Sequence, residues 1–432
     1  MRRALRAVGR VRGLAVLTAA LALVGQSAGH GFAQEAARAR DLGIPFDGTP
    51  GPLNAITDVT GVEVGHTTLI EGGGALVTGR GPVRTGVTAI LPRGRSGPDT
   101  VFAATFSLNG NGEMTGAAWI EESGQLEGPI LITNTHSVGV VRDAVIGWQV
   151  EHRPGFLWAL PVVAETYDGI LNDINGFHVR PEHVRAALAG ARGGPVAEGS
   201  VGGGTGMICN GFKGGIGTSS RRLPERGGGW TVGVLVQCNY GSQSSVLIGG
   251  LPVGRRMLED GFQGMCRGGI DPTLDFLDGL PRCDGAGALE TRPREDDPRS
   301  PASALHDLGS IIIVIATDAP VLPHQLERLA TRATLGLGRL GSISGNGSGD
   351  LFIAFSTAAT GLGVELGHVP VRMLGNENMN WLFAAVVQAT EEAVVNAMVA
   401  AETMTGADDV TVRALPHDRV RAILREHGRL AQ

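Results

Sequence analysis

Chemistry in this chain centres on a small set of serines, carboxylates and one asparagine. At Gly309-Ser310 a glycine meets a serine that opens the apolar run SIIIVIA (310–316). If that peptide bond breaks, Ser310 gains a free α-amine. An α-amine has a pKa of about 7.7–8.0, so it is partly unprotonated at neutral pH and lies within reach of its own Oγ. One residue can then supply both nucleophile and base. The preceding glycine adds the backbone freedom that an N→O acyl shift needs. A second cluster is SGNGSGD (344–350), in which Ser348 and Asp350 stand two apart. In extended backbone that spacing puts both side chains on one face, so Asp350 can accept from the Ser348 hydroxyl.

Two further groups follow apolar runs. Glu165-Thr166-Tyr167-Asp168 comes after LPVVA, and Asn239 comes after VGVLVQC. A carboxylate at a strand end can hold a cationic amine, and an asparagine there can offer an amide N–H to an oxyanion. Each of these four patterns, taken alone, also reads as ordinary turn chemistry.

Other chemistries find no pattern. No two of the 11 histidines stand four apart, so no helical H-E-x-x-H zinc site is present. Beyond the N-terminal leader no G-x-S-x-G elbow occurs. Lys213 is the only lysine, and no S-x-x-K pattern reaches it. The glycine-rich run 202–217 is not a phosphate loop, because Phe212 separates Gly211 from Lys213 and neither Ser nor Thr follows. Its glycines read as tight turns and close backbone approaches, with the wall of an active site as the second reading. A Ser-His-Asp arrangement would draw on His66, His136, His178 or His324, which spacing alone does not pair with a serine.

The elements that position these residues are short. GVTAIL (86–91), ILIT (130–133), VGVLVQ (232–237) and SIIIVIA (310–316) read as buried strands: Val/Ile-rich, apolar on both faces, bounded by turn formers. Leu322–Leu340 and Asn378–Met404 carry helical periodicity, and Ser137–Val150 carries it more weakly. Residues 251–307 differ in composition and end in the charged, proline-rich tract TRPREDDPRS (291–300), which reads as an exposed linker. Glycine is 68 of 432 residues, about twice the usual share of roughly 7%. Net charge is −6, which argues against a nucleic-acid partner. Arg2, Arg3, Arg6, Arg10 and Arg12 precede the apolar stretch 14–24 and then small residues. That is the pattern of a secretory signal peptide spanning residues 1–33. It predicts a periplasmic or secreted protein with no membrane association once the leader is removed. An oxidising compartment permits disulfides. Cys266 and Cys283 could close one loop, whereas Cys209 and Cys238, in apolar strand-like settings, read as buried thiols.

Seven stretches together carry a resemblance: ITDVTGVEVGHTTL (56–69), EESGQLEGPILITNTHSVGVVRDAVIGW (121–148), PVVAETYDGILNDINGFHV (161–179), VGGGTGMICNGFKGGIGTSSR (201–221), VGVLVQCNYG (232–241), LGSIIIVIATDAPVLPHQLERLATRA (308–333) and SGNGSGDLFIAFSTA (344–358). The chain resembles the self-processing family of L-aminopeptidase D-amidase/D-esterases and β-peptidyl aminopeptidases. The resemblance implies an α/β (α+β) fold, a four-layer αββα sandwich like that of N-terminal-nucleophile hydrolases with different connectivity. It implies cleavage between Gly309 and Ser310 into an α-chain (34–309) and a β-chain (310–432) of one catalytic domain. Ser310 would be the nucleophile, and Ser348 with Asp350 would assist proton transfer. Asn239 would supply the oxyanion donor. Glu165 would hold the substrate's free ammonium group, and Tyr167 would also line the site. No metal or organic cofactor is implied. The expected partners are a small peptide or amino acid amide substrate and further copies of the αβ unit in a homo-oligomer. One departure is the 251–307 stretch, longer than the family core needs. Two other readings stand beside this one: an acyltransferase of the ornithine acetyltransferase type, and an exported binding protein that keeps the fold without catalysis.

Overall fold

The computed structural model describes residues 37–95, 100–153, 155–285, 309–363 and 367–431. The leader (1–33) and the charged linker (291–300) lie outside the described residues.

Among the described residues fifteen strands form four sheets. β1 (Glu63–Glu71), β2 (Val83–Leu91), β3 (Val101–Gly110), β4 (Gln125–Leu126), β5 (Ile130–Asn134) and β6 (Val162–Thr166) come first. β7 (Ile208–Cys209), β8 (Phe212–Lys213), β9 (Gly215–Arg222), β10 (Thr231–Asn239) and β11 (Met265–Cys266) follow. β12 (Gly309–Thr317), β13 (Ser348–Ser356), β14 (Met404–Thr405) and β15 (Thr411–Val412) complete the set. One large sheet has the order β1-β2-β5-β6 and the other β4-β3-β13-β12-β10-β9; β7 pairs with β8, and β11-β15-β14 form a small third sheet.

Alternation along the strands makes the layers. On β12, Ile312, Val314 and Ala316 pack inward against Ile130, Ile132 and Ala164 of the first sheet. Ile311, Ile313 and Ile315 point the other way, onto Leu326, Leu329, Ala330 and Val386 of two helices. These helices are Pro323–Arg339 and Met379–Val399. The outer face of the first sheet is covered by Val138–His152 and Pro181–Ala189, through Val141, Val145, Val184 and Leu188. The order helix, sheet, sheet, helix is the expected αββα sandwich. A central strand buried on both faces has no room for polar alternation, which is why these runs read as continuous Val/Ile.

The expected helices form with small changes at their ends. Pro323 occupies the first turn of its helix, where a missing N–H costs nothing. The 379–399 helix stops at Ala400, short of the expected Met404. It is apolar enough in composition to cross a membrane, yet it lies mostly buried between sheet and helix.

The cysteines differ from expectation. Cys266 and Cys283 are bonded, and so are Cys209 and Cys238, read above as separate buried thiols. The hairpin β7–β8 folds back beside the end of β10 and brings the two Cα atoms to 5.4 Å. Sequence showed two apolar settings but not that they adjoin. Closing a loop of 29 residues contributes roughly 3.5 kcal/mol in the chain-entropy model.

Candidate active site

Strand register builds the centre of the site. β12 lies between β10, to which it is antiparallel, and β13, to which it is parallel. Ser310 stands opposite Asn239 on one side and Gly349 on the other. Ser310 shares the inward face of β12 with Ile312 and Val314, and Asn239 shares the inward face of β10 with Leu235. Both side chains therefore open toward the first sheet, at the end of the sandwich. Each is only 5% exposed. The Gly349 N–H donates to Ser310 Oγ at 3.2 Å.

Asn239 is held at both ends of its amide. Its Oδ1 accepts from the Ile208 N–H at 2.7 Å, and its Nδ2 donates to the Tyr167 carbonyl at 2.9 Å. An amide nitrogen carries two hydrogens, so one N–H is left for a further acceptor. The Cys209–Cys238 bond joins the neighbours of Ile208 and Asn239, fixing the pair from behind.

Gly309 comes closer to β10 than any other residue type could. A Cβ at this position would lie 2.0 Å from the Asn239 carbonyl oxygen, and its φ is +154°. Glycine is required here by the approach of two backbones.

Ser348 and Asp350 do share a face. The Ser348 hydroxyl donates to Asp350 Oδ1 at 2.5 Å, and Asn109 Nδ2 lies 3.5 Å from the other oxygen. Strand parity groups them with Phe352, on the helical side of the sheet, away from the Ser310 side chain. In register Ser348 stands opposite Gly309, beside the 309–310 peptide.

Glu165 is the penultimate residue of β6 and is 3% exposed. Segment 111–115 runs back along β6, where the Glu113 N–H donates to Glu165 Oε1 at 3.0 Å. Thr135, just past β5, donates to Oε2 at 2.5 Å. Burial pushes the Glu165 carboxyl above the usual range, and the bonds from Thr135 and Glu113 oppose that rise. Tyr167 is 39% exposed, with its phenol pushed up by burial. Ser310, Gly309, Asn239, Glu165 and Tyr167 all line one cavity of about 640 Å³.

Other sequence candidates fall elsewhere. Among the described residues no histidine lines this cavity. His66 bonds Thr88, His178 bonds Asp173, His136 stacks on Phe177, and His324 lines a separate outer cleft. Lys213 is buried, its Nζ donating to the carbonyls of Met207 and Gly214 at 2.8 and 2.9 Å, and burial lowers its pKa to about 7. The turn Gly202–Gly204 packs between the sheets, where a Cβ at Gly203 would strike Gln237 and one at Gly204 the Gly215–Ile216 backbone. Of the glycines in the 202–217 run, Gly211 lines the cavity. Sequence reasoning missed Glu113 and Thr135, which carried no signal beyond their places in turns. It also missed Leu258, Met265, Phe276 and Leu280, cavity residues from the stretch set apart by composition.

A serine at a strand head, flanked in register by an asparagine amide and a backbone N–H and facing a buried carboxylate, is equipped for acyl transfer from an amine-bearing substrate. A family model for peptidase family S58 matches residues 54–412. The chain belongs to peptidase family S58. It is 51% identical over 398 residues to the β-peptidyl aminopeptidase BapA of Sphingosinicella microcystinivorans, covering 92% of this chain and 94% of the relative. Identity to the BapA of Sphingosinicella xenopeptidilytica is 48% over 396 residues, covering 90% and 91%. Among solved structures, the L-aminopeptidase D-Ala-esterase/amidase of Ochrobactrum anthropi matches with a TM-score of 0.76 and 46% identity, over 91% of this chain and 99% of the other. That protein is described as a prototype serine aminopeptidase and a variant of the Ntn hydrolase fold. A Burkholderia sp. β-aminopeptidase matches with a TM-score of 0.75 and 45% identity, over 91% and 99%. This S58 member is thus a hydrolase on an Ntn-type sandwich, and its relatives support aminopeptidase function.

Proposed function

We propose that this chain is an exported aminopeptidase that cuts itself at Gly309-Ser310 and uses the new N-terminal Ser310 as its nucleophile. The observation that carries the reading is the placement of Ser310 between Asn239 and Gly349, in a cavity shared with Glu165. In self-cleavage Ser310 Oγ attacks the Gly309 carbonyl, the acyl group shifts from nitrogen to oxygen, and water hydrolyses the ester. The freed α-amine then stands beside Ser348, which pairs in register with Gly309. Ser348 and Asp350 can pass protons to and from that amine.

In turnover the α-amine accepts the Ser310 hydroxyl proton as Oγ attacks the substrate carbonyl. Asn239 Nδ2 stabilises the oxyanion. The leaving amine takes the proton, and water releases the acyl group by the same steps. Glu165 holds the substrate ammonium, and Tyr167 lines the approach. A free amine at that position restricts the enzyme to the first residue. Substrates on this reading are peptides, amides or esters of L-residues, D-amino acids or β-amino acids. The names of the 51% and 48% relatives favour β-amino residues among them. The arginine-rich, apolar leader supports export, and assembly of αβ units into a homo-oligomer completes the reading.

Intact-mass spectrometry of the purified protein beside a Ser310→Ala variant tests it. Two fragments in the wild type, one starting at Ser310, with a single chain in the variant, support the reading. One uncut chain in both removes the free α-amine from the mechanism and favours a non-catalytic binding protein.

A further inference from the structure

The cavity around Ser310 is lined by two chemically different groups of residues. One is polar and acidic and includes Glu165, Glu113 and Thr135. The other supplies the apolar side chains Leu258, Met265, Phe276 and Leu280, with Gln243 and Gln263 lining the cavity beside them. All four apolar residues come from the stretch after residue 251. Ile208, whose N–H holds Asn239, also lines the cavity and packs against the core that holds Met265 and Leu280.

This wall is fastened at several points. Met265, Leu277 and Leu280 pack with Leu171, Val410 and Val412 in a small core of their own. β11 pairs with β15. Gln243 grips the segment by donating to the Phe262 carbonyl at 2.8 Å and accepting from the Gly264 N–H at 2.9 Å. The Cys266–Cys283 bond closes a loop that contains both Phe276 and Leu280. A wall fixed in this way presents one shape to a substrate, and a fixed apolar surface rewards a matching apolar group.

We infer that this disulfide-closed segment is the specificity subsite of the enzyme and selects substrates carrying a bulky aliphatic or aromatic side chain. The inference rests on the aminopeptidase reading of Ser310 and Glu165. With the ammonium held at Glu165 and the carbonyl at Ser310, a hydrocarbon group reaches the apolar wall. A charged side chain sent there would lose its water and find no counter-charge on Leu258, Met265, Phe276 or Leu280.

The test uses the mature enzyme and two series of amides. One series varies the side chain of the amine-bearing residue from hydrogen through methyl to isobutyl and benzyl. The other keeps that residue as β-alanine and varies the leaving group. Leu258 and Phe276 are partly exposed in the cavity, so Leu258→Ala/Phe276→Ala removes wall atoms with little loss of core. Wild type should favour the benzyl over the unsubstituted substrate by at least roughly 10-fold in kcat/KM, since one methylene in a fitted pocket is worth about that much. The double variant should lose most of that ratio. A Cys266→Ser/Cys283→Ser variant, which keeps every lining residue, should also flatten the ratio. The series that responds tells whether the apolar group belongs to the acylated residue or to the leaving group. Flat ratios in both series, or ratios unchanged in both variants, overturn the inference and leave the aminopeptidase intact. If wild type cleaves none of the amides, the aminopeptidase reading itself fails.

Discussion

Asn239 and Ser310 face each other across the β10–β12 ladder, each at the end of a strand and each 5% exposed. Neither is placed by its own loop. Both take their positions from the register of two long apolar strands, so the proposed oxyanion donor and the proposed nucleophile move together or not at all. Preorganisation of this kind costs nothing at the moment of reaction.

Replacing Asn239 by Ala should therefore strike turnover and spare substrate binding. We expect kcat to fall by about 10²–10³, the usual loss for one oxyanion donor, with a small change in KM. Steady-state kinetics on an amide substrate, beside a thermal melt of the same sample, checks this. An equal loss carried entirely by KM would remove Asn239 from the oxyanion site.

Gly309→Ala should block or slow maturation although Ser310 is untouched. The new methyl would meet the Asn239 carbonyl at 2.0 Å and force the scissile peptide out of place. A time course of chain cleavage by gel or mass spectrometry measures it. Cleavage at the wild-type rate would show that the backbone approach seen here is not needed for self-processing.

Glu165 sets a pH dependence. Burial raises its carboxyl, and only the ionised form attracts an ammonium. Activity on free-amine substrates should thus climb with pH through that raised value and decline as pH falls below it. In Glu165→Gln the Glu165 component of the acid limb of kcat/KM should disappear, leaving the one set by the Ser310 α-amine, with KM raised for free-amine substrates. Equal use of N-blocked and free substrates by the wild type would count against the anchor.

Lys213 gives a stability prediction with a definite sign. Its folded pKa of about 7 lies below the value of about 10.4 in an unfolded chain. Between those values the unfolded state binds more protons, so stability rises with pH, by at most about 1.4 kcal/mol per pH unit. The cost of burying the ammonium is complete below pH 7 and relieved above about 10.4. Lys213→Met should flatten the change in Tm between pH 7 and 10. An identical slope in the variant would place the proton uptake elsewhere.

Local pattern carried much of this protein. Hydrophobic period gave the buried strands and the 323–339 and 379–399 helices, because layers of a sandwich demand continuous Val/Ile strands and striped helices whatever lies around them. Spacing gave the Ser348–Asp350 bond, since residues two apart on a strand share a face. The seven matching stretches pointed to the family and its sandwich. Tertiary structure decided the rest. No local rule pairs Cys209 with Cys238, because their meeting depends on a hairpin folding back onto a strand 29 positions away. None sets Ser348 beside the 309–310 peptide and not beside the Ser310 side chain, because that follows from the parallel register of β12 and β13. None brings Glu113 and Thr135 to Glu165, or turns an apparent insertion into the apolar wall of the cavity. Periodicity records which face of an element is buried, but only packing between elements fixes which two faces meet.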